Sequence, residues 1–218
     1  MSKNSYAIFG LGSFGSKLAV ELSKTGNNVL VCDINPARVD EYCDKVSEAV
    51  VLDASSADAI RELDVAKFDA VILGMSSHFE KQVLALTLLK QEGAKRILVK
   101  ANTDIQERIL YRLGADEVIQ PEQDVAERLS RRLSLASISD LFEFKGYAIA
   151  EVVVPGSLAG STLRELDLSK RYHITVLLLR KAGSSEENTP GPDIILDKGD
   201  QMTVFGTQSA ILELFRKE

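Results

Sequence analysis

The stretch Tyr6-Ala7-Ile8-Phe9-Gly10-Leu11-Gly12-Ser13-Phe14-Gly15 decides the fold, because it leads an apolar run directly into a glycine-rich turn. Apolar residues at helical spacing follow the turn, and a second apolar run, residues 29–32, ends at Asp33. Strand, G-x-G-x-x-G turn, helix, strand and acid form, in that order, a dinucleotide-binding βαβ unit. We predict a nucleotide site here; the alternative is a bare structural turn.

Each of the three glycines in this turn has its own physical role. The first glycine permits the tight turn, the second lets the backbone approach a pyrophosphate, and the third lets the helix pack closely on the sheet. Unpaired N–H groups and the dipole at the helix start favour an anion. The carboxylate of Asp33 is suited to accept hydrogen bonds from a ribose diol.

Length and composition narrow the class of protein. A chain of 218 residues holds one large domain or two unequal ones. The formal charge of −6 argues against a nucleic-acid partner, which usually requires a basic face. The N-terminus shows no signal-peptide pattern, so a cytoplasmic location is expected. The two cysteines, Cys32 and Cys43, lack metal or disulfide-framework spacing, and Cys32 reads as a small core residue.

The alternation of strands and helices continues past the first unit. Further apolar runs predict strands near residues 46–52, 70–73, 96–100 and 117–119. Ser55 and Asp58 have the spacing of a capping box, and so do Thr103 and Gln106, which predicts that a helix begins at each pair. Six strands alternating with helices predict an α/β fold, a Rossmann-type doubly wound parallel sheet.

Right-handed crossovers place the carboxyl ends of all parallel strands at one edge, where ligands bind. The polar and small residues that follow the predicted strands should therefore converge there: Asp33, Asp53, Gly74, Met75, Ser76, Lys100 and Glu122. The helix after the sixth strand is expected to bury three apolar residues: Val125, Leu129 and Leu133.

A second pattern begins near residue 136 and predicts a small α+β domain of about 75 residues. Residues 137–142 read as a short helix or hinge, and the polar stretch 183–191 reads as a mobile hairpin loop. Strand-like runs at 149–154, 174–179, 194–196 and 202–205 accompany a short helix near Leu163 and a terminal helix from Gln208. The predicted organisation is a nucleotide-binding domain at 1–135, a hinge or crossover at 136–146, and a C-terminal α+β domain at 147–218.

Several side chains allow both a functional and an ordinary interpretation. Lys100 is either a phosphate contact or a solvated strand-end lysine. Glu122 is either a first-turn helix acid stabilised by the dipole or a ligand for a cation that accompanies phosphates. Arg38 either stacks on an adenine or covers the first turn of its helix.

Groups for proton transfer are few, which argues against an enzyme. His78, at a helix start after the fourth strand, is either close enough to the ligand edge to take part in the site or an ordinary polar residue of a helix start. His173 at a strand start is interpreted as structural, and no Ser-His-Asp grouping is visible in the sequence. Arg128, Arg131 and Arg132 read as a solvated helix face. The competing class is an NAD-dependent oxidoreductase with a small dimerisation tail.

Residues 6–15 and 31–35 together resemble the RCK domain, also called KTN, of potassium-transport regulators. Residues 99–101, 114–116 and 120–122, and Gly199-Asp200 before the last predicted strand, extend the resemblance over the whole chain. A single RCK unit of this length is most similar to the KtrA/KtrC-type, TrkA-like regulatory subunits.

The resemblance implies a non-catalytic regulatory subunit of a Ktr/Trk-type potassium uptake system. It implies a homodimer, formed through the helices near the hinge, that assembles into an octameric ring. The ring would dock on a membrane potassium-translocating subunit (KtrB/TrkH-like) at the inner face of the cell membrane. Exchange of ATP and ADP would change its shape. Some relatives bind NAD(H), and many bind cyclic di-AMP in the C-terminal domain. A nucleotide sensor for another ion channel or transporter is the remaining alternative.

Carried over by position, the resemblance implies phosphate contacts at the loop glycines, ribose contacts at Asp33, and Mg²⁺ or another cation at Glu122. Lys100 would approach the phosphates. The predicted cofactor-binding set is Gly10, Leu11, Gly12, Ser13, Phe14, Gly15, Asp33, Ile34, Asn35, Arg38, Asp53, Ala54, Gly74, Met75, Ser76, Lys100 and Glu122. Two positions depart from the family pattern: Ser13 replaces an arginine that reaches the γ-phosphate, and Gln120 replaces a more usual histidine. Losing a charge-assisted contact at Ser13 leaves the preference among ATP, ADP, AMP and NAD(H) open.

Overall fold

The computed structural model describes residues 3–75, 78–134 and 138–215, without the side chains of 131, 132, 134, 138–140 and 143. The chain divides into two compact units, Met1–Asp124 and Val125–Glu218. This division falls about ten residues before the boundary at 135 indicated by the sequence. Where the functional domains meet stays a prediction.

The first unit is built on a six-stranded parallel sheet. Its strands are β1 Ser5–Phe9, β2 Asn28–Asp33, β3 Glu48–Val51, β4 Ala70–Leu73, β5 Ile97–Lys100 and β6 Glu117–Ile119. Their spatial order is β3-β2-β1-β4-β5-β6, and β1 pairs in parallel with both β2 and β4. This is the strand order of the dinucleotide-binding fold, so the fold predicted for the first domain is confirmed.

Helices follow the strands and cover both faces of this sheet. They are α1 Ser13–Lys24, α2 Pro36–Tyr42, α3 Ala57–Glu62, α4 Phe79–Gln91 and α5 Asp104–Arg112. Helix α6, Pro121–Ser134, follows β6, and the division between the two units falls within it. Successive residues of β1 point to opposite faces. Ala7 and Phe9 therefore join the core on one face, while Ile8 joins the core on the other with Ala19 of α1 and Val39 of α2.

Side-chain caps fix the starts of three helices. The side chains of Asn35, Ser56 and Thr103 accept hydrogen bonds from the first turns of α2, α3 and α5. The cap of α3 is thus Ser56, one residue after the predicted Ser55, because the hydroxyl of Ser55 instead donates to the carboxylate of Asp53.

The second unit contains a five-stranded antiparallel sheet. Its strands are β7 Ile138–Phe144, β8 Tyr147–Val153, β9 Thr175–Arg180, β10 Glu187–Asn188 and β11 Gln201–Thr207, in the spatial order β10-β9-β11-β8-β7. The short helix, one of the two readings predicted for 137–142, is wrong from Ile138 onward, where the chain forms β7 and pairs with β8 along its length. The hinge at 136–146 stays a prediction. Its Ser137 lies outside the described residues.

Helices α7 Leu163–Leu166, α8 Leu168–Tyr172 and α9 Gln208–Phe215 complete the second unit. The predicted helices near Leu163 and from Gln208 are confirmed, and α8 was not predicted. The polar stretch 183–191 carries the short strand β10, and the predicted strand at 194–196 is reduced to a bridge between Thr162 and Ile195. His173 is the C-cap of α8 and precedes β9.

Helix α6 differs from its prediction. Val125, Leu129 and Leu133 remain 53%, 43% and 74% exposed in the single chain, so the expected burial is not found. Among the described residues, no helix combines the length and apolar character needed to cross a membrane.

Candidate functional site

The glycine-rich turn between β1 and α1 has the packing that its sequence predicts. Gly10 adopts a φ of +96°, and an added Cβ there would lie 2.9 Å from the backbone nitrogen of Met75. At Gly15 an added Cβ would lie 2.1 Å from the carbonyl oxygen of Gly10, so only glycine allows α1 to approach the turn this closely. A Cβ at Gly12 would meet no atom within 4 Å, so the turn is open in front of this residue.

Gly12 is also the N-cap of α1, and it has no side chain to accept from the first helical turn. The first N–H groups of a helix have no partners within the helix. The start of α1 therefore offers backbone N–H donors beside the open space in front of Gly12, an arrangement that favours an anion such as the predicted pyrophosphate.

Asp33, the last residue of β2, organises the other side of the turn. Its Oδ2 accepts from the backbone N–H of Leu11 at 2.7 Å, and its Oδ1 accepts from that of Asn35 at 2.9 Å. Arg38 lies 3.7 Å from Oδ2. The residue is only 7% exposed. Asp33 therefore has a structural role in addition to the predicted ribose contact, for which its oxygens retain free lone pairs.

Asp53, just after β3, is held by a neighbouring serine and by a lysine from α4. The Ser55 hydroxyl and backbone N–H donate to its Oδ1 at 2.6 and 2.9 Å, and the Nζ of Lys81 lies 3.5 Å from Oδ2. The hydrogen bonds from Ser55, assisted by the charge of Lys81, lower the pKa of Asp53, which stays ionised at neutral pH.

Lys100, at the end of β5, is 7% exposed and forms an ion pair with Glu122 in the first turn of α6. The hydrogen bond from Lys100 lowers the pKa of the Glu122 carboxyl. The two side chains that the sequence assigned separately, one to phosphate and one to a cation, are therefore partners of each other in this structure.

A cavity of about 520 Å³ opens at the carboxyl edge of the sheet. It has the size of a small-molecule site. Of the predicted residues, thirteen line it: Gly10, Gly12, Ser13, Phe14, Asp33, Ile34, Asn35, Arg38, Asp53, Ala54, Gly74, Met75 and Lys100. Leu11 and Gly15 instead support the turn, and Glu122 contacts Lys100. Ser76 lies outside the described residues.

Five further residues line the cavity that the sequence did not assign to it: Phe9, Cys32, Leu52, His78 and Lys81. The first three belong to apolar runs, which indicate a core and not a ligand. Burial, reinforced by the charges of Glu48 and Asp33, raises the pKa of the Cys32 thiol to about 12. The thiol therefore stays protonated at neutral pH and is not a nucleophile.

Charge in this cavity is balanced by pairs. Arg38, Lys81 and Lys100 each lie beside an acid: Asp33, Asp53 and Glu122, respectively. An entering phosphate would add a second acceptor to one of these cations, which is a favourable but exchangeable arrangement. Within the described ranges, no group of three or more His, Cys, Asp and Glu side chains could hold a metal ion by itself. A cation at Glu122 would need ligands from the nucleotide as well.

The second unit has a buried acid at the position of its resemblance to the family. Asp200 is 1% exposed, accepts from Lys181 Nζ at 2.8 Å, and accepts from the backbone N–H groups of Ala182 and Asp197. Burial by itself would raise the pKa of Asp200, but these hydrogen bonds outweigh it and lower the pKa. This acid joins the loop that follows β9 to the loop that precedes β11 and is structural.

Comparison with known families places both units. Residues 6–121 match the TrkA-N domain, and residues 149–217 match the TrkA-C domain. The chain belongs to the TrkA-N/TrkA-C family. The RCK resemblance inferred from the glycine-rich turn is thereby confirmed.

Two relatives match this chain over nearly their whole length. The chain is 33% identical to Ktr system potassium uptake protein A of Vibrio alginolyticus, covering 94% of each chain. It is 30% identical to Ktr system potassium uptake protein C of Bacillus subtilis (strain 168), covering 96% of this chain and 95% of the relative. Among solved structures, the GsuK channel matches with a TM-score of 0.67 at 19% identity. The match covers all of this chain and 40% of the channel chain, and it shows a shared fold.

Proposed function

We propose that this protein is a nucleotide-binding regulatory subunit of a Ktr-type potassium uptake system. The observation that carries the proposal is the glycine-rich turn, which is open in front of Gly12. The chain that contains this turn matches the TrkA-N domain and two potassium uptake proteins. In this proposal the chain binds the nucleotide and changes conformation, and a membrane subunit carries the potassium.

Adenine nucleotides are the proposed ligands. The phosphates would accept hydrogen bonds from the N–H groups at the start of α1, and the ribose would donate to Asp33. The adenosine would lie toward Asp53 and Met75. These residues line or support one cavity. When bound, the nucleotide supplies an anion whose charge differs between ATP and ADP. Glu122 would hold a cation beside the phosphates, which requires it to leave Lys100.

NAD(H) is the second candidate ligand. A GsuK channel bound to NAD shares the fold with a TM-score of 0.63, at 19% identity. In this chain, Asp33 ends β2 at the position that serves a ribose diol in dinucleotide-binding folds. Because both ligands share an adenosine and a phosphate, the same turn and acid serve either one.

Regulation requires that one nucleotide favours one conformation over another. A ligand with equal affinity for two states shifts neither of them, so ATP and ADP must differ in how well they bind each state. The usual coupling is about 1–3 kcal/mol per site. Assembly of several copies would sum these contributions, and the predicted octameric ring would make a small difference per site decisive.

Self-association is supported by the apolar surface of α6. Val125, Leu129 and Leu133 recur every four residues along one side of the helix, and all three are exposed in the single chain. Exposed apolar stripes on a helix mark association surfaces. We propose that α6 pairs with its counterpart in a second copy, which is the homodimer expected for the family.

The proposal is tested by potassium uptake in cells that depend on the cognate membrane subunit. Expression of that subunit with the wild-type chain should restore growth at low potassium, and the membrane subunit should copurify the chain. The variant Gly12→Ala, which blocks the phosphate position, should copurify but fail to stimulate uptake. Uptake that is the same with Gly12→Ala, with the wild-type chain and with no chain would contradict the proposal.

A further inference from the structure

A buried glutamine lies behind the nucleotide cavity and is not part of its lining. Gln82 is in the first turn of α4 and is completely buried, although its neighbours on the buried side of the helix are Ala85, Leu86 and Leu89. A buried amide is retained only where its hydrogen bonds repay its removal from water. The contacts of this side chain therefore indicate its role.

Both N–H groups of the Gln82 amide are used, and both go to the edge of the cavity. Nε2 donates to the carbonyl oxygen of Met75 at 2.5 Å and to that of Lys100 at 2.7 Å. Met75 follows β4, whereas Lys100 ends β5, and both residues line the cavity. One side chain thus joins the ends of two neighbouring strands at the ligand edge.

The orientation of this amide is determined by its partners. Reversing it would set Oε1 against two carbonyl oxygens, which repel it. As it stands, Oε1 has no hydrogen-bond partner within the described residues. The two donated bonds are therefore what this side chain contributes, and a side chain without two donors cannot replace it.

We propose that Gln82 is a positioning residue of the nucleotide site, which holds the end of β5, and with it the Lys100 ammonium group, against the loop that follows β4. The inference rests on the proposed nucleotide function. It adds to the nucleotide site a residue that does not line the cavity. Lys100 is nearly buried and reaches Glu122 by a single ion pair. A small displacement of its backbone would carry the ammonium group away from the phosphate position.

The test uses Gln82→Glu, which keeps the shape of the side chain and leaves at most one donor, the O–H of a protonated carboxyl, in place of two. Its matched control is Gln91→Glu, the same substitution at an exposed position of the same helix. Gln82→Asn is the second variant, because it keeps both donors on a shorter stem and is less disruptive to folding. Each variant is compared with the wild type by its unfolding transition before any other measurement.

The first readout needs no nucleotide. The rate at which a lysine-specific acylating reagent modifies Lys100, resolved by mass spectrometry, should rise about fivefold in Gln82→Glu and not in Gln91→Glu, because the end of β5 is released. The exposed Lys24 should react equally in all variants. Equal protection of Lys100 in Gln82→Glu and the wild type would overturn the inference, whether or not the protein binds nucleotides.

The second readout is a double-mutant cycle on ADP affinity with Lys100→Met. Gln82→Glu should weaken ADP binding about tenfold in the wild-type background and less than about threefold when Lys100 is already removed, since the two residues act as one unit. A purely structural glutamine would cost the same factor in both backgrounds, and that result would overturn the inference. If the wild type binds no ADP, the nucleotide function fails, and the labelling result alone decides the role of Gln82.

Discussion

At the scale of single residues, the glycines of the β1–α1 turn separate folding from binding. Gly15 has no room for a Cβ, because an added Cβ would lie 2.1 Å from the carbonyl oxygen of Gly10, whereas a Cβ at Gly12 would enter open space. Gly15→Ala should therefore lower the thermal midpoint. Gly12→Ala should change the free energy of unfolding by no more than about 0.5 kcal/mol, and it should remove the stabilisation by ADP. Thermal unfolding with and without ADP measures both effects. A Gly12→Ala variant that ADP stabilises like the wild type would contradict the placement of the phosphates.

Asp33 has a structural role that the sequence alone did not indicate, beside the ribose contact proposed for it. From sequence, Asp33→Ala would be expected to affect nucleotide binding only. In the structure, its carboxylate also accepts from Leu11 and Asn35, so the substitution leaves two N–H groups without their acceptors. Each should cost about 1–3 kcal/mol where it is buried. Urea unfolding should show Asp33→Ala to be clearly less stable than Asp33→Asn, which keeps one acceptor oxygen; equal stabilities would contradict this account.

At the scale of secondary-structure elements, sequence patterns predicted the parallel sheet well and the second unit less well. Runs such as residues 29–32 and 70–73 are apolar throughout because both faces of a parallel strand are buried, and they stand out from their surroundings. Strand β7, with the sequence ISDLFEF, shows neither a continuous apolar run nor a regular alternation. Its partner follows across the turn at Lys145-Gly146, where both residues have positive φ. Its pairing depends on β8, so local composition did not distinguish it from a hinge.

Two of the side chains missed at and behind the cavity share a cause. Lys81 and Gln82 are adjacent in α4, yet one faces the cavity mouth and the other is buried behind it. Which of them points where depends on how α4 is rotated against the sheet, and the sequence does not determine this rotation. The strand ends, by contrast, were predictable, since parallel strands must end at a common edge.

Helix α6 carries a prediction about assembly. Leu129→Asp should change the stability of a single chain little, because Leu129 is 43% exposed, but it should dissociate the proposed homodimer by placing charge in its apolar contact. Ser130→Asp adds the same charge at the next, exposed position of α6 and serves as the control. Light scattering after gel filtration should show a smaller species for Leu129→Asp only. Unchanged mass for Leu129→Asp would exclude α6 as the dimer contact.

The contact between β5 and α6 predicts a pH dependence. The hydrogen bond from Lys100 lowers the pKa of Glu122 in the folded chain, so its contribution to stability is fully present above the unfolded value, about 4.3, and is lost as pH falls through the folded value. The free energy of unfolding should therefore decrease as the pH falls into this acidic range, and Glu122→Gln and Lys100→Met should both make this decrease, the acidic limb of the curve, smaller. Urea unfolding between about pH 3 and 7 measures it. An unchanged limb in both variants would show that the pair does not form in solution.

At the scale of the whole molecule, nucleotide binding and potassium transport belong to different proteins in the proposed function. The first unit presents a cavity at the carboxyl edge of its sheet, and the relatives are potassium uptake proteins. The balanced charge pairs around the cavity suit a ligand that enters and leaves, which is what a regulator requires. Ser13 lines this cavity and adds no positive charge, so we expect a smaller preference for ATP over ADP than an arginine there would give.

The most direct test of the central claim is calorimetric titration of the purified protein with ATP, ADP, AMP, NAD⁺ and NADH, with and without Mg²⁺. We predict saturable binding of adenine nucleotides that Gly12→Ala abolishes, with different affinities for ATP and ADP and no consumption of either nucleotide. Absence of binding by every nucleotide would contradict the account. Binding of NADH alone, accompanied by its oxidation in the presence of a substrate, would identify an oxidoreductase instead.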